Sequence, residues 1–319
     1  MPVVAVRAVL SCVSVCLASV ALAAGRVAGP VQLRGPDGQV LVAYLPQQSL
    51  PEQAFDRWPG VQVRRLSGDA VSGRLAVHAR FPAGWRLALA APPAQSVEIV
   101  VLEGELQFGA DALARYDFAF VPPASPPPAI GSARGAQALL FFDPPSPDAA
   151  AVARQRERGA YVTHFDASRW QPASLAKSAG ATADLRVMHL KKDPFTTART
   201  WYVKLGGGMT TPWEVHSMVE EGYVMEGDYT LAECLPGGTV VGDYAQGGYF
   251  WRPGGIPHSG PESGTRAGVI WLQRSPVALD VAFFGGCDAG QASAPVAPVT
   301  PVAPVVAVPP EAAGAARPR

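Results

Sequence analysis

The sequence predicts an all-β protein: two small β-barrels in tandem, joined by a short helix and followed by a disordered tail. Three observations carry that prediction. Short blocks of apolar and turn residues recur in the same order in the two halves of the chain. Glycine and proline are both abundant, 33 and 32 of 319 residues, as expected where many short strands alternate with turns. One stretch, 148–160, carries helix signals at both of its ends.

Residues 1–24 have the form of an export signal. Arg7 is the only charged side chain before an almost wholly apolar run, Ala8 to Leu22, and Ala21-Leu22-Ala23 offers small residues for cleavage. The run is shorter than the ~20 residues a spanning helix needs. The mature chain is therefore expected outside the cytoplasm, periplasmic or secreted, with no stable membrane insertion; an uncleaved anchor is the alternative. Cys12 and Cys16 leave with the signal, so the mature chain keeps Cys234 and Cys287. In an oxidising compartment these two could form one disulfide, or stay apart as small buried hydrophobes.

The repeat spans 40–147 and 161–286. Val63-Arg-Arg-Leu66 lines up with Val187-Met-His-Leu190, Val101-Leu-Glu-Gly104 with Val224-Met-Glu-Gly227, Phe118-Ala-Phe120 with Tyr249-Phe-Trp251, and Leu139-Leu-Phe-Phe142 with Val269-Ile-Trp-Leu272. Between the copies, Asp148 can cap a helix whose first turns are alanines; arginines crowd its last turn and Gly159 can end it. From 287 to 319 the chain becomes Ala-Pro-Val repeats that favour extended conformations and cannot pack a core. The 26 Lys and Arg balance 26 Asp and Glu, so nothing draws the chain to nucleic acid or to an anionic membrane.

The second copy concentrates unusual residues. Glu214 and His216 are two apart, so on a strand both point to one face. Glu220 opens the next apolar run, and His258 follows 38 residues later. Two imidazoles and two carboxylates converging inside a small barrel make a first-row transition-metal site. The first copy has Ala91, Pro93 and Val97 at the corresponding positions and a proline run, Pro126-Pro-Pro128, where His258 would be. It is expected to hold no metal this way and to serve in packing.

The spacing resembles the two motifs of the cupin superfamily, β-barrels of jelly-roll type. Gly208, Glu214, His216, Glu220 and Gly227 fall on the first motif, with Glu214 in place of its first His. Gly247, Pro253, Gly255 and His258 fall on the second, with Glu262 in place of an Asn often found there. The resemblance implies a bicupin whose second barrel binds one divalent metal through Glu214, His216, Glu220 and His258. Fe, Mn, Ni or Zn suits that set, and its several oxygen ligands tilt it away from copper. Trp213, Tyr223, Tyr229 and Trp251 are the expected pocket, and Arg252 could meet a carboxylate if it faces inward. The surroundings of Glu226-Gly227 and of Tyr249 to Pro253 are similar to uncharacterised cupins grouped with the zinc-binding, ChrR-like set. The family includes oxygenase-like enzymes acting on small organic molecules, non-catalytic binding or sensing modules, and metal-free scaffolds. It also includes barrels that pair as homodimers.

Overall fold

The computed structural model describes residues 25–27, 31–34, 40–69, 72–87, 92–173, 184–235, 238–278 and 280–287. The expected export signal, all but the first residue of the expected tail, and Ala91 lie outside these residues. No helix among the described residues is long and apolar enough to cross a membrane.

Strand alternation builds the first barrel. In Ser96–Gly104, Val97, Ile99 and Val101 turn inward while Glu98 and Val100 face away, because successive side chains of a strand point to opposite faces. The same period sends Val77, Ala79 and Phe81 of Leu75–Phe81 inward, with Ala138, Leu140 and Phe142 of Ala136–Asp143. These strands form the centre of a seven-stranded sheet, and a four-stranded sheet from Asp111–Leu113 to Trp85–Arg86 packs over it. Trp58, Phe81, Trp85 and Phe142 fill the middle, with ring centroids 4.9 to 6.0 Å apart. Burying one such side chain stabilises by roughly 1.5–3 kcal/mol.

The second barrel repeats the plan with one longer strand. Glu220–Leu235 pairs in its first half with Gly248–Arg252 and Val269–Ser275, and in its second half with Gly238–Ala245. The strand changes partners around Gly227, φ 83°, where a Cβ would stand 1.9 Å from the Gly268 carbonyl oxygen. Gly104, φ 73°, occupies the same corner of the first barrel, 2.3 Å from the Gly135 carbonyl oxygen. Only glycine takes that backbone conformation without strain and leaves room for the crossing carbonyl. These corners also correct the repeat. Val101 pairs with Ala138 and Val224 with Trp271, so Leu139 answers Leu272 and not Val269. The last block aligned by sequence is three residues out of register, because a plain apolar run matches its counterpart at several offsets.

The barrels also trade strands. Val40–Pro46 pairs with Gly248–Arg252 of the second barrel, and Tyr161–Thr163 pairs with Phe118–Val121 of the first. Each sequence copy thus opens with a strand that completes the other barrel and covers a sheet edge. Helix Ala149–Arg158 connects the two. Asp148 accepts hydrogen bonds from the Ala150 and Ala151 N–H groups at 2.9 and 3.1 Å, and Gly159, φ 75°, ends the helix.

Between the barrels, Phe118, Phe141, Tyr202, Tyr249 and Leu272 join one apolar cluster. Inside it lie two buried glutamates at equivalent repeat positions, Glu98 and Glu221. Arg274 bridges them, donating from Nε to Glu98 at 3.0 Å and from Nη1 to Glu221 at 2.6 Å, and it stacks 4.0 Å over Phe141. Lys191 and Thr200 complete Glu98, while Ser67, Arg74 and Tyr249 complete Glu221. Buried charges persist only when paired in this way.

Candidate metal centre

Three short elements build the site. Trp213–Val215 pairs with His258–Ser259, which sets Glu214 directly opposite His258. On its other edge Trp213–Val215 pairs with Ala282–Phe284. His216 follows just beyond the strand and is held from several sides. Its Nδ1 lies 2.7 Å from the Asp280 carbonyl oxygen, its carbonyl accepts from the Gly255 N–H at 2.7 Å, and the next N–H, of Ser217, donates to the Asp280 carboxylate at 3.0 Å. His258 Nδ1 lies 2.9 Å from the Ile256 carbonyl oxygen.

A carbonyl can only accept, so both Nδ1 atoms carry the hydrogen and both Nε2 atoms keep a bare lone pair. The rings stand 4.9 Å apart by centroid. Ligand-capable atoms of Glu214, His216 and His258 lie within 4.8 Å of one another. His258 Nε2 is buried with no hydrogen-bond partner, 3.6 Å from Glu214 Oε1 and 3.1 Å from Glu220 Oε2. A lone pair facing carboxylate oxygens at that range repels unless a cation or a proton stands between them. This donor set fits a divalent metal.

The electrostatics agree. Burial pushes the Glu214 carboxyl up to about 7, against the pull of Arg252 and of the Ser259 hydroxyl. Burial lowers His216 to about 3, helped by His258 and Arg252, and holds His258 well below its ordinary value, with Arg252 adding to the effect. Both imidazoles are therefore neutral, the form that ligates metal. Glu214, Glu220 and Glu233 outnumber the single guanidinium of Arg252, so protons or a cation must make up the balance.

Glu220 joins the group with both oxygens engaged. Oε1 accepts from the Gln273 amide, and Oε2 pairs with Arg252. Arg252 is 2% exposed and binds Glu233 on its other side, Nε at 3.1 Å and Nη2 at 3.0 Å. Ser259, φ 74°, sits in the left-handed region beside His258 and donates to Glu214 at 3.3 Å. A cavity of about 110 Å³ opens against the cluster, walled by Trp201, Tyr229, Leu231, Phe250, Trp271 and Phe283.

The structure thus brings Glu214, His216, Glu220 and His258 together, and Tyr229 lines their cavity. The other expected pocket residues need correction. Tyr223 packs between the barrels with Trp251 against it, since Phe250 and Arg252 take the inward positions of their strand and leave Tyr249 and Trp251 facing out. Trp213 packs on Ala232, Cys234 and Val241. Glu221, next to Glu220, faces the other barrel. Arg252, Gln273, Phe250, Trp201 and Trp271 are the site residues that sequence reasoning left unplaced. Strand register held the signal for one of them: Glu220 lies across from Arg252. Cys234 and Cys287 are disulfide-bonded, with Cα atoms 5.6 Å apart, tying the segment that holds His216 back to the barrel wall.

No family profile and no curated protein matches the chain. Solved structures do. A candidate dioxygenase from Nostoc punctiforme superposes with a TM-score of 0.54 at 15% identity, covering 77% of this chain and 87% of that one. Oxalate decarboxylase from Bacillus subtilis gives 0.52 at 12% identity, covering 81% and 80%. A Lactobacillus farciminis oxalate decarboxylase in complex with formate gives 0.52 at 12%, covering 76% and 88%. Likeness at this identity establishes the tandem cupin-type fold and leaves the chemistry to the site.

Proposed function

We propose that the chain is an exported bicupin that binds one divalent transition metal, Fe, Mn, Ni or Zn, in its second barrel and uses it in oxygenase-like chemistry on a small organic molecule. One observation carries the metal: the bare, buried Nε2 of His258 facing two carboxylates. Glu214, His216 and His258 would hold the ion, with Glu220 at its margin. A bound ion supplies Lewis acidity and open coordination positions.

The chain supplies the rest. Asp280 and Ile256 fix the two imidazoles in the ligating tautomer. Tyr229, Phe250 and Trp271 keep the cavity apolar and exclude water. Its volume of about 110 Å³ is well below the ~300 Å³ at which drug-sized ligand sites begin, so the ligand has only a few heavy atoms. The candidate dioxygenase and the oxalate decarboxylases share the fold, and enzymatic use of the site is proposed by that analogy alone. Kinship with the ChrR-like cupins rests on the motif surroundings alone. Export rests on the pattern of residues 1–24 and is supported by the disulfide, a bond typical of oxidising compartments.

Metal content of the purified full chain, measured by mass spectrometry, tests the reading. About one equivalent is expected in the wild type and almost none in His258→Ala and Glu214→Ala. A wild-type chain that takes up no ion, even after reconstitution with each candidate metal, overturns the proposal in favour of a metal-free scaffold.

A further inference from the structure

We infer that Arg252 decides how many ligands the ion receives: its guanidinium claims Glu220 and leaves a three-residue centre of Glu214, His216 and His258. The inference rests on the metal-binding reading above.

Backbone register sets the pair, since Glu220 and Arg252 are direct cross-strand neighbours. Their side chains meet inside the barrel, at Glu220 Oε2. The other oxygen is also committed. Trp271 Nε1–H donates to Gln273 Oε1 at 2.5 Å, which turns the Gln273 amide N–H towards Glu220 Oε1. Behind the guanidinium, Glu233 Oε1 accepts from Nε at 3.1 Å, with Nη2 at 3.0 Å in ion-pair range. Glu220, Arg252 and Glu233 are 5%, 2% and 0% exposed, so the guanidinium has no solvated position to which it could swing.

A guanidinium and a divalent ion on one carboxylate oxygen repel each other strongly in such a low-dielectric interior. With Arg252 in place, the ion sits on the side of the three remaining donors and keeps one more position for water or ligand than a four-residue centre would. Arg252 is thus a positioning residue that tunes coordination number. Glu233 holds it through a hydrogen bond from Nε, and Gln273 fixes Glu220 in the same way.

The test uses the full chain titrated with Co²⁺, reading affinity by chelator competition and coordination number by the visible absorption of the ion. Glu220→Gln should keep wild-type affinity within about threefold and an unchanged spectrum, while Glu214→Gln should lose affinity by about 100-fold or more. Arg252→Met should free Glu220 to coordinate, tightening binding by about tenfold and weakening the absorption as the coordination number rises. Arg252→Lys, which keeps the charge, should restore the wild-type spectrum. If Arg252→Met does not fold, Glu220→Gln and Arg252→Lys still decide. Loss of Co²⁺ in Glu220→Gln as severe as in Glu214→Gln would overturn the inference and make Glu220 a ligand. A wild-type chain that binds no Co²⁺ is a separate result, removing the metal reading and this inference with it.

Discussion

The two barrels share a strand plan, a corner glycine and a buried glutamate at the same repeat position, yet their interiors have opposite character. Where the second barrel places Glu220 at the head of its long strand, the first places Val97, packed in a cluster closed by Trp58, Phe81, Trp85 and Phe142. Where the second leaves a cavity, the first has closely packed rings. Their facing sides are alike instead, with Glu98 and Glu221 meeting at Arg274. A polar interior is tolerable in this fold only where its charges are balanced: in the second barrel Arg252 and Gln273 partner Glu220, and protons or a cation must balance the remaining carboxylates. The first barrel fills its interior with packed apolar side chains and holds Glu98 on the shared face.

The harshest way to break the comparison is to give the first barrel the residue it lacks. Val97→Glu places a carboxylate among the apolar side chains of its cluster. A cost of about 4–5 kcal/mol is expected, the range reached when a buried charge goes unpaired. The reverse change, Glu220→Val, relieves one of two carboxylates on Arg252 and should cost less, about 2–3 kcal/mol. Urea denaturation of both variants checks the ranking. Equal losses would mean that the first interior is wetter than its packing indicates.

The shared face offers a milder probe, through pH. Burial alone would raise the Glu98 carboxyl, but Arg274 and Lys191 outweigh it and bring it down to about 2, from an ordinary value of 4.5. A carboxyl held below its unfolded value stabilises the fold fully above that value and loses the contribution as pH falls through the folded one. Stability should therefore decline between pH 4.5 and 2, by roughly 3 kcal/mol from this group. Glu98→Gln should flatten that part of the profile. Parallel acid curves for wild type and variant would place the acid sensitivity elsewhere.

These differences also show what a sequence makes legible. The tandem repeat and the helix with its caps follow from local spacing, which fixes turns and faces, while the convergence of Glu214, His216, Glu220 and His258 is what the resemblance to the cupin motifs implies. Strand exchange follows from neither, because nothing in the apolar run Val40–Pro46 says whose edge it joins. The inward turn of Arg252 escaped for a related reason. Tyr249, Phe250 and Trp251 are all aromatic, so hydropathy gave no phase to the strand that carries Arg252. Only its pairing with Glu220 sets the phase. Trp213, Tyr223 and Trp251 looked like pocket residues because aromatic side chains suit cavity walls, barrel interfaces and outer packing alike.

The smallest expected effect separates strain from chemistry in the two halves. Ser259 in the second barrel and Ala124 in the first both hold positive φ, 74° and 52°, where a non-glycine residue costs roughly 1–2 kcal/mol. Ala124 lies in a loop, its N–H bonded to the Pro93 carbonyl, whereas Ser259 follows His258 of the candidate site and donates to Glu214. Glycine relieves the strain but adds unfolded-state freedom, so each substitution to Gly should gain only about 0.5 kcal/mol. Their consequences for the metal should differ. Ser259→Gly removes the hydroxyl that orients Glu214 and should weaken metal binding by about tenfold, while Ala124→Gly leaves it unchanged. Ser259→Ala, which keeps the strain and loses the hydroxyl, should show the same loss of metal with no gain in stability. If Ser259→Gly instead left metal affinity intact, the backbone at 259 would be an accident of the turn, and Glu214 would be oriented by its strand alone.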